Sequence, residues 1–182
     1  MGHIMAQIKG MMITQVCQLM TLYEDGQKKA ADYVLQKTGK HYEDLEPNEF
    51  YDVEILNETL KIYSEYSPTG DRVYITMGSK VYPLLKQHLG FPPHLKTPLD
   101  FLLFEAESFK QNHRGSDIIE RNFLKTDDKH IIVDAPSPGY NCRIVEGVFL
   151  GILQMVGEED GKVFQTECIQ RGDSTCIYDI TW

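Results

Sequence analysis

Asn141-Cys142-x3-Glu146-Gly147-x3-Gly151, followed by Val163-x3-Glu167-Cys168-x3-Gly172-x3-Cys176-Ile177-Tyr178, is the stretch on which the fold turns. Its first half is an apolar run notched by glycines four apart, which puts Gly147 and Gly151 on one face of a helix over 140–156. Such a stripe serves either tight packing on a neighbouring element or close approach of a ligand or partner helix. In the second half the period falls to two, so 162–170 and 174–182 read as strands joined across Arg171-Gly172-Asp173-Ser174. Segments 117–125 and 128–135 alternate in the same way, with Asp127-Asp128-Lys129-His130 as a hairpin turn.

Ahead of these strands the apolar spacing is helical. It predicts helices over 8–22, 26–38, about 50–65, 73–89 and 97–111, with Thr97 as N-cap and Pro98 at the first helical position of the last. Helices first and strands late imply an α+β fold, N-terminal helices packed on a C-terminal four-stranded antiparallel sheet, in a single domain over 1–182.

Composition excludes several classes. A formal charge of −9 argues against direct contact with nucleic acid, which needs a basic face. No apolar run reaches the roughly 18 residues that a membrane-spanning helix requires. Met1-Gly2-His3-Ile4-Met5 has the form neither of a signal peptide nor, with Ala6 following, of an acylation signal. Four cysteines then point to reduced thiols in a cytoplasm. A nucleophile elbow, a phosphate loop, an HExxH and a dinucleotide fingerprint are all missing, so a binding protein is expected in preference to an enzyme.

Three of the cysteines fall in the decisive stretch. Cys168 and Cys176 lie eight apart. A two-residue turn would put their sulfurs on opposite faces, whereas a three-residue loop with a bulge pairs them side by side. With Cys142 arriving from the helix, three thiolates and one more ligand suit tetrahedral Zn2+. Small buried thiols and a disulfide are the alternatives, and with no CxxC the spacing leaves all three open. Cys17, on the first helix, is expected to be buried and inert.

Segment 131–182 resembles the C-terminal part of the vinyl-4-reductase-like ligand-binding domains, which share a fold superfamily with the haem nitric-oxide-binding domains and the TRAPP trafficking subunits. The residues that carry the resemblance are Asp134-Ala135-Pro136-Ser137, Cys142, Glu146-Gly147, Gly151, Val163, Cys168, Gly172-Asp173 and Cys176-Ile177-Tyr178. It implies a cytoplasmic small-molecule sensor with a zinc site. The family's Cys, Glu, Cys, Cys pattern falls on Cys142, Gln165, Cys168 and Cys176, so Glu167 is expected as the fourth ligand, with Glu146 the substitute. Haem is the less expected rival. By resemblance to the nitric-oxide sensors, His88 and His94, flanking Gly90-Phe91-Pro92-Pro93, are its axial candidates. Of that family's Tyr-x-Ser-x-Arg propionate clamp only Ser137 remains. A TRAPP-like dimeric assembly module is the third reading.

An apolar pocket is expected between helices 73–89, 97–111 and 140–156, which are rich in large apolar side chains. Phe101, Phe104, Val148, Ile152 and Met155 would line it, and Tyr74, Tyr82 or His88 would orient an aromatic or lipid-like ligand. Met11, Met12 and Met20 suit either an adaptable pocket wall or ordinary core. The wide apolar face of 8–22 predicts a homodimer through the N-terminal helices.

Overall fold

β1 (Gln7–Lys9) lies between β2 (Phe50–Asp52) and β3 (His113–Arg114) in a small antiparallel sheet that ties together three distant parts of the chain. The expectation of helix from residue 8 is corrected here: Ile8 pairs with Tyr51 and His113, and helix α1 starts at Gly10 (Gly10–Leu19). A strand of three residues is too short to show a period of its own, and its apolar residue continues the helical stripe behind it. The computed structural model describes residues 5–182; the reading of the first four residues as carrying no leader and no acylation signal lies outside the described residues.

The remaining helices are α2 (Glu24–Thr38), α3 (Val53–Ser64), α4 (Arg72–His88) and α5 (Pro98–Asn112). Thr97 caps α5 as expected: its hydroxyl accepts from the Asp100 N–H while the Asp100 carboxylate accepts from the Thr97 N–H. The late strands are β4 (Asn122–Asp127), β5 (His130–Asp134), β6 (Lys162–Glu167) and β7 (Ile177–Thr181), all antiparallel in the order β4-β5-β7-β6. The fold is α+β. Residues 117–121, expected in the first of these strands, lie outside it.

Helix α6 (Arg143–Met155) covers the inner face of this sheet. Ile131, Val133, Tyr178 and Ile180 are buried beneath it, and Phe149 meets the Tyr178 ring edge-on at 5.4 Å. Its other side lies against α4, and here the glycines find their use. A Cβ on Gly147 would sit inside van der Waals contact of the Ile75 carbonyl oxygen, one on Gly151 that of Ser79, and one on Gly78 that of Ile144. The stripe therefore brings two backbones together, and a ligand has no access to it.

The apolar face of α1 is covered within the chain. Ile13, Val16, Cys17, Leu19 and Met20 are all buried. The uncovered patch on which the homodimer expectation rested is thus absent from α1; Met11 alone in this helix remains an exposed large hydrophobe.

Candidate functional site

A cavity of about 130 Å3 lies between α1, α4, α5 and α6. Its walls are mostly apolar: Ile8, Met11, Met12 and Val16 on the first helix side, Val81 and Leu85 from α4, Phe109 from α5, and Ile144, Val145 and Val148 from α6. Met11, Ser108 and Asn112 stay partly exposed and mark its open side.

A polar cluster occupies the α5 side. Glu105 lies on the same helical face as Phe101, Leu102 and Phe109 and is buried with them. Arg121 meets it there: Nη2 donates to Oε1 at 3.1 Å and Nε to Oε2 at 3.4 Å. The third guanidinium nitrogen, Nη1, donates to the Pro136 carbonyl at 3.0 Å, and the guanidinium carbon sits 3.7 Å from the Phe109 ring centre. The pair is neutral as a unit, as a buried ion pair must be.

His113, at the start of β3, completes the cluster. Its Nδ1 lies 2.8 Å from the Phe109 carbonyl oxygen. A carbonyl only accepts, so Nδ1 carries the proton and Nε2 presents a lone pair, which faces the Tyr140 hydroxyl at 3.4 Å. Burial holds the imidazole neutral, its pKa pushed down from 6.5 to about 4, and the Arg121 charge acts in the same direction. Burial also pushes the Tyr140 hydroxyl up to about 12.

The His113 shift has a measurable consequence. The unfolded chain takes up this proton near pH 6.5 and the folded protein only near 4, so falling pH favours the unfolded chain throughout that interval. Stability from this group is complete above pH 6.5, is lost as pH falls to about 4, and amounts to about 3 kcal/mol. Urea unfolding at pH 7, 5.5 and 4 reads it directly, and His113→Gln is expected to flatten that part of the profile.

One polar atom in this region has no partner. Among the described residues the Nε2 of Gln15, a residue of the cavity wall, is the buried side-chain nitrogen or oxygen that makes no hydrogen bond.

The thiol cluster lies at the N-terminal end of α6. The sulfurs of Cys142, Cys168 and Cys176 all lie within 4.8 Å of one another, with Cys142 and Cys168 at 2.9 Å. All three residues are buried. The expected side-by-side pairing of Cys168 and Cys176 is reached by another route. The β6–β7 ladder ends at Glu167↔Ile177 after a bulge, and a short 3-10 turn (Ile169–Arg171) with left-handed Gly172 closes the loop between the sulfurs. The Asp173 carboxylate accepts the Cys168 N–H at 2.7 Å and holds this loop. Tyr178 donates to the Cys142 carbonyl at 2.8 Å and anchors the helix start to the sheet. Hydrogen bonding from Cys142, and further donors at Ile169, Cys168 and Ser137, lower the Cys176 thiol to about 6, whereas Cys142 is raised by its bond to Cys176 and by burial.

Glu167 does not belong to it. This side chain is exposed on β6, and the oxygens near Cys142 are instead the amides of Gln170, at 3.1 Å, and Gln165, at 3.4 Å. Glu146 pairs with Arg143 at 2.6 Å. Cys17 is buried and its thiol is pushed up to about 12 by desolvation, as expected of an inert core residue.

Of the expected pocket residues, Tyr82 and Val148 line the cavity. Phe101 and Met155 border a separate cleft around Gly90-Phe91-Pro92-Pro93. There Phe91 stacks on Tyr82 and meets Phe101 and Phe104 edge-on. Ile152 is fully buried core, and Tyr74 is buried with its hydroxyl on Ser64 at 2.9 Å. His88 and His94 are exposed and neither lines the cavity. Of the four helices around the cavity, the sequence named α4, α5 and α6, and Met11 and Met12 of α1, expected as pocket wall or core, line it as well; Gln15, Glu105, His113, Arg121 and Tyr140 were not singled out. A signal existed for Glu105 and Gln15, since each interrupts an otherwise apolar helical stripe.

No protein-family model matches the chain, and no curated protein matches it. Solved structures do. An H-NOX protein from S. oneidensis in the Fe(II)NO ligation state superposes with a TM-score of 0.70 at 16% identity, covering 95% of this chain and 98% of that one. The unliganded Fe(II) H-NOX protein from K. algicida gives 0.67 at 12% identity, covering 96% of each. A structure probing the function of haem distortion in the H-NOX family gives 0.71 at 16% identity over 96% of this chain and 95% of that one. The fold is the H-NOX fold. At these identities the likeness is one of architecture. It agrees with the α+β architecture expected from the sequence.

The residues of this chain give haem a poor fit. His113 has half of what an axial ligand needs, an Nδ1–H anchored on a carbonyl with Nε2 left as donor atom. The space is wrong, however: about 130 Å3 falls below even the ~300–1,000 Å3 typical of drug-sized ligands. A clamp for propionates is lacking as well. Arg121 is committed to Glu105 and Pro136, and the Ser137 hydroxyl, the one remnant of the clamp motif, closes its own turn on the Tyr140 carbonyl at 2.6 Å.

Proposed function

We propose that this chain is a small-molecule-binding sensor domain on the H-NOX fold, with its ligand in the α1/α4/α5/α6 cavity. The observation that carries the reading is that cavity: apolar walls, one open side and an unpartnered buried amide at Gln15. Apolar area removed from water contributes roughly 25 cal/mol per Å2, enough for a compact ligand to bind without catalytic groups. Four thiols free of disulfides support a reducing compartment such as the cytoplasm. No helix among the described residues is long and apolar enough to cross a membrane. Signalling would pass to a partner through α6, which touches both the cavity and the sheet.

Reconstitution with hemin tests the ligand class. The expected result is no stoichiometric Soret band. A one-to-one band that disappears in His113→Ala would replace the compact ligand with haem.

The likeness to vinyl-4-reductase-like domains supports zinc on Cys142, Cys168 and Cys176, with water or a neighbouring glutamine amide in the fourth position. Three converging buried sulfurs provide a donor set suited to that ion. Elemental analysis is expected to find one zinc per chain, and Cys176→Ala to release it. The melting temperature should then drop by about 10 °C, corresponding to roughly 3 kcal/mol. A wild type purified without chelator and free of metal refutes the site.

A further inference from the structure

We infer that the cavity selects a neutral, single-ring-sized molecule bearing a hydrogen-bond acceptor oxygen, of the aryl ketone or aldehyde class, held by the Gln15 amide. The inference rests on the cavity being the ligand site, as proposed above. Size comes first. At about 130 Å3 the space is comparable to the roughly 150 Å3 apolar cavities that take benzene, and far short of what a fused-ring or long-chain ligand needs.

Charge comes second. Glu105, Arg121 and His113 are the carboxylate, guanidinium and imidazole on the wall. The first two neutralise each other through two hydrogen bonds, and His113 is held in its neutral form with both nitrogens facing partners. An ionised ligand would enter with no free counter-charge, a cost of several kcal/mol. Polarity comes third. The buried wall atom left without a partner is a donor, the Gln15 Nε2. Asn112, by contrast, already donates to Ser108. A carbonyl oxygen accepts from such a donor and brings no proton that would need an acceptor. Leaving the buried Gln15 donor unpaired is the penalty that a ligand lacking the oxygen would incur.

Three probes of nearly equal size separate the terms: acetophenone, ethylbenzene and benzoate, titrated by calorimetry into the full chain. Acetophenone is expected to bind roughly tenfold more tightly than ethylbenzene, and benzoate not to bind. In Gln15→Leu the order of the first two should reverse. In Gln15→Glu, where the donor becomes an acceptor, acetophenone should be lost. Val148→Trp, which fills the cavity, should abolish all binding, with circular dichroism confirming the fold. Equal affinity of acetophenone and ethylbenzene, or an advantage unchanged in Gln15→Leu, overturns the class while the cavity reading stands. Binding that survives both Val148→Trp and Gln15→Glu overturns the cavity reading itself. Preferred binding of benzoate, or no binding of any probe to wild type, also overturns the inference.

Discussion

Gly147→Ala is expected to destabilise the protein by about 3 kcal/mol, and Gly147→Ala combined with Gly151→Ala to leave it unfolded at room temperature. The added methyl group meets the Ile75 carbonyl oxygen, and its counterpart at Gly151 meets that of Ser79. These are backbone atoms of α4, so no rotamer change relieves the overlap and the helices must move apart. Separation then opens the largest helix–helix contact in the molecule and unseats Val148, which lines the cavity one residue away. Alanine would ordinarily favour a helix by up to about 1 kcal/mol over glycine, so the sign of the change reports the close approach directly. Urea unfolding of wild type and both variants measures it. A Gly147→Ala protein as stable as wild type would mean that the two backbones do not touch.

Removal of Arg121 is the second large effect. Arg121→Met should cost about 3–5 kcal/mol, because it strands the Glu105 carboxylate in the interior without its partner. Much of that cost is expected to vanish in Arg121→Met with Glu105→Leu, where both charges leave together and the side chains retain similar volume. The double variant should therefore be more stable than Arg121→Met alone, and a double-mutant cycle by urea denaturation decides the point. A simple sum of the two single costs would show that the pair is not coupled. The recovery will be incomplete, since Arg121 also donates to Pro136 and lies over Phe109.

Periodicity carried much of the architecture. The α6 helix, the Thr97 cap, the four late strands and the helical order before them were all legible, because each depends on local spacing that a single stretch of sequence displays. The strands β1, β2 and β3 were not. At two or three residues each they have no period to read, and they exist only because three distant segments meet. The cysteine cluster was legible in its members and illegible in its geometry. Spacing named Cys142, Cys168 and Cys176, but the 3-10 turn that seats Cys168 beside Cys176, and the exclusion of Glu167, follow from a bulge after Gln165.

The sequence by itself determined the α+β class, the glycine stripe on α6 and the three cysteines, since all of these are properties of one segment at a time. Only the tertiary structure decided that the stripe packs against α4, that α1 forms the fourth cavity wall, and that Gln15, Glu105, His113 and Arg121 share one small space. Those residues lie on three different elements and the segment before β4, separated by as many as 106 positions between Gln15 and Arg121. Their neutral pairing and the one amide left without a partner depend on distances between elements, which no local pattern encodes.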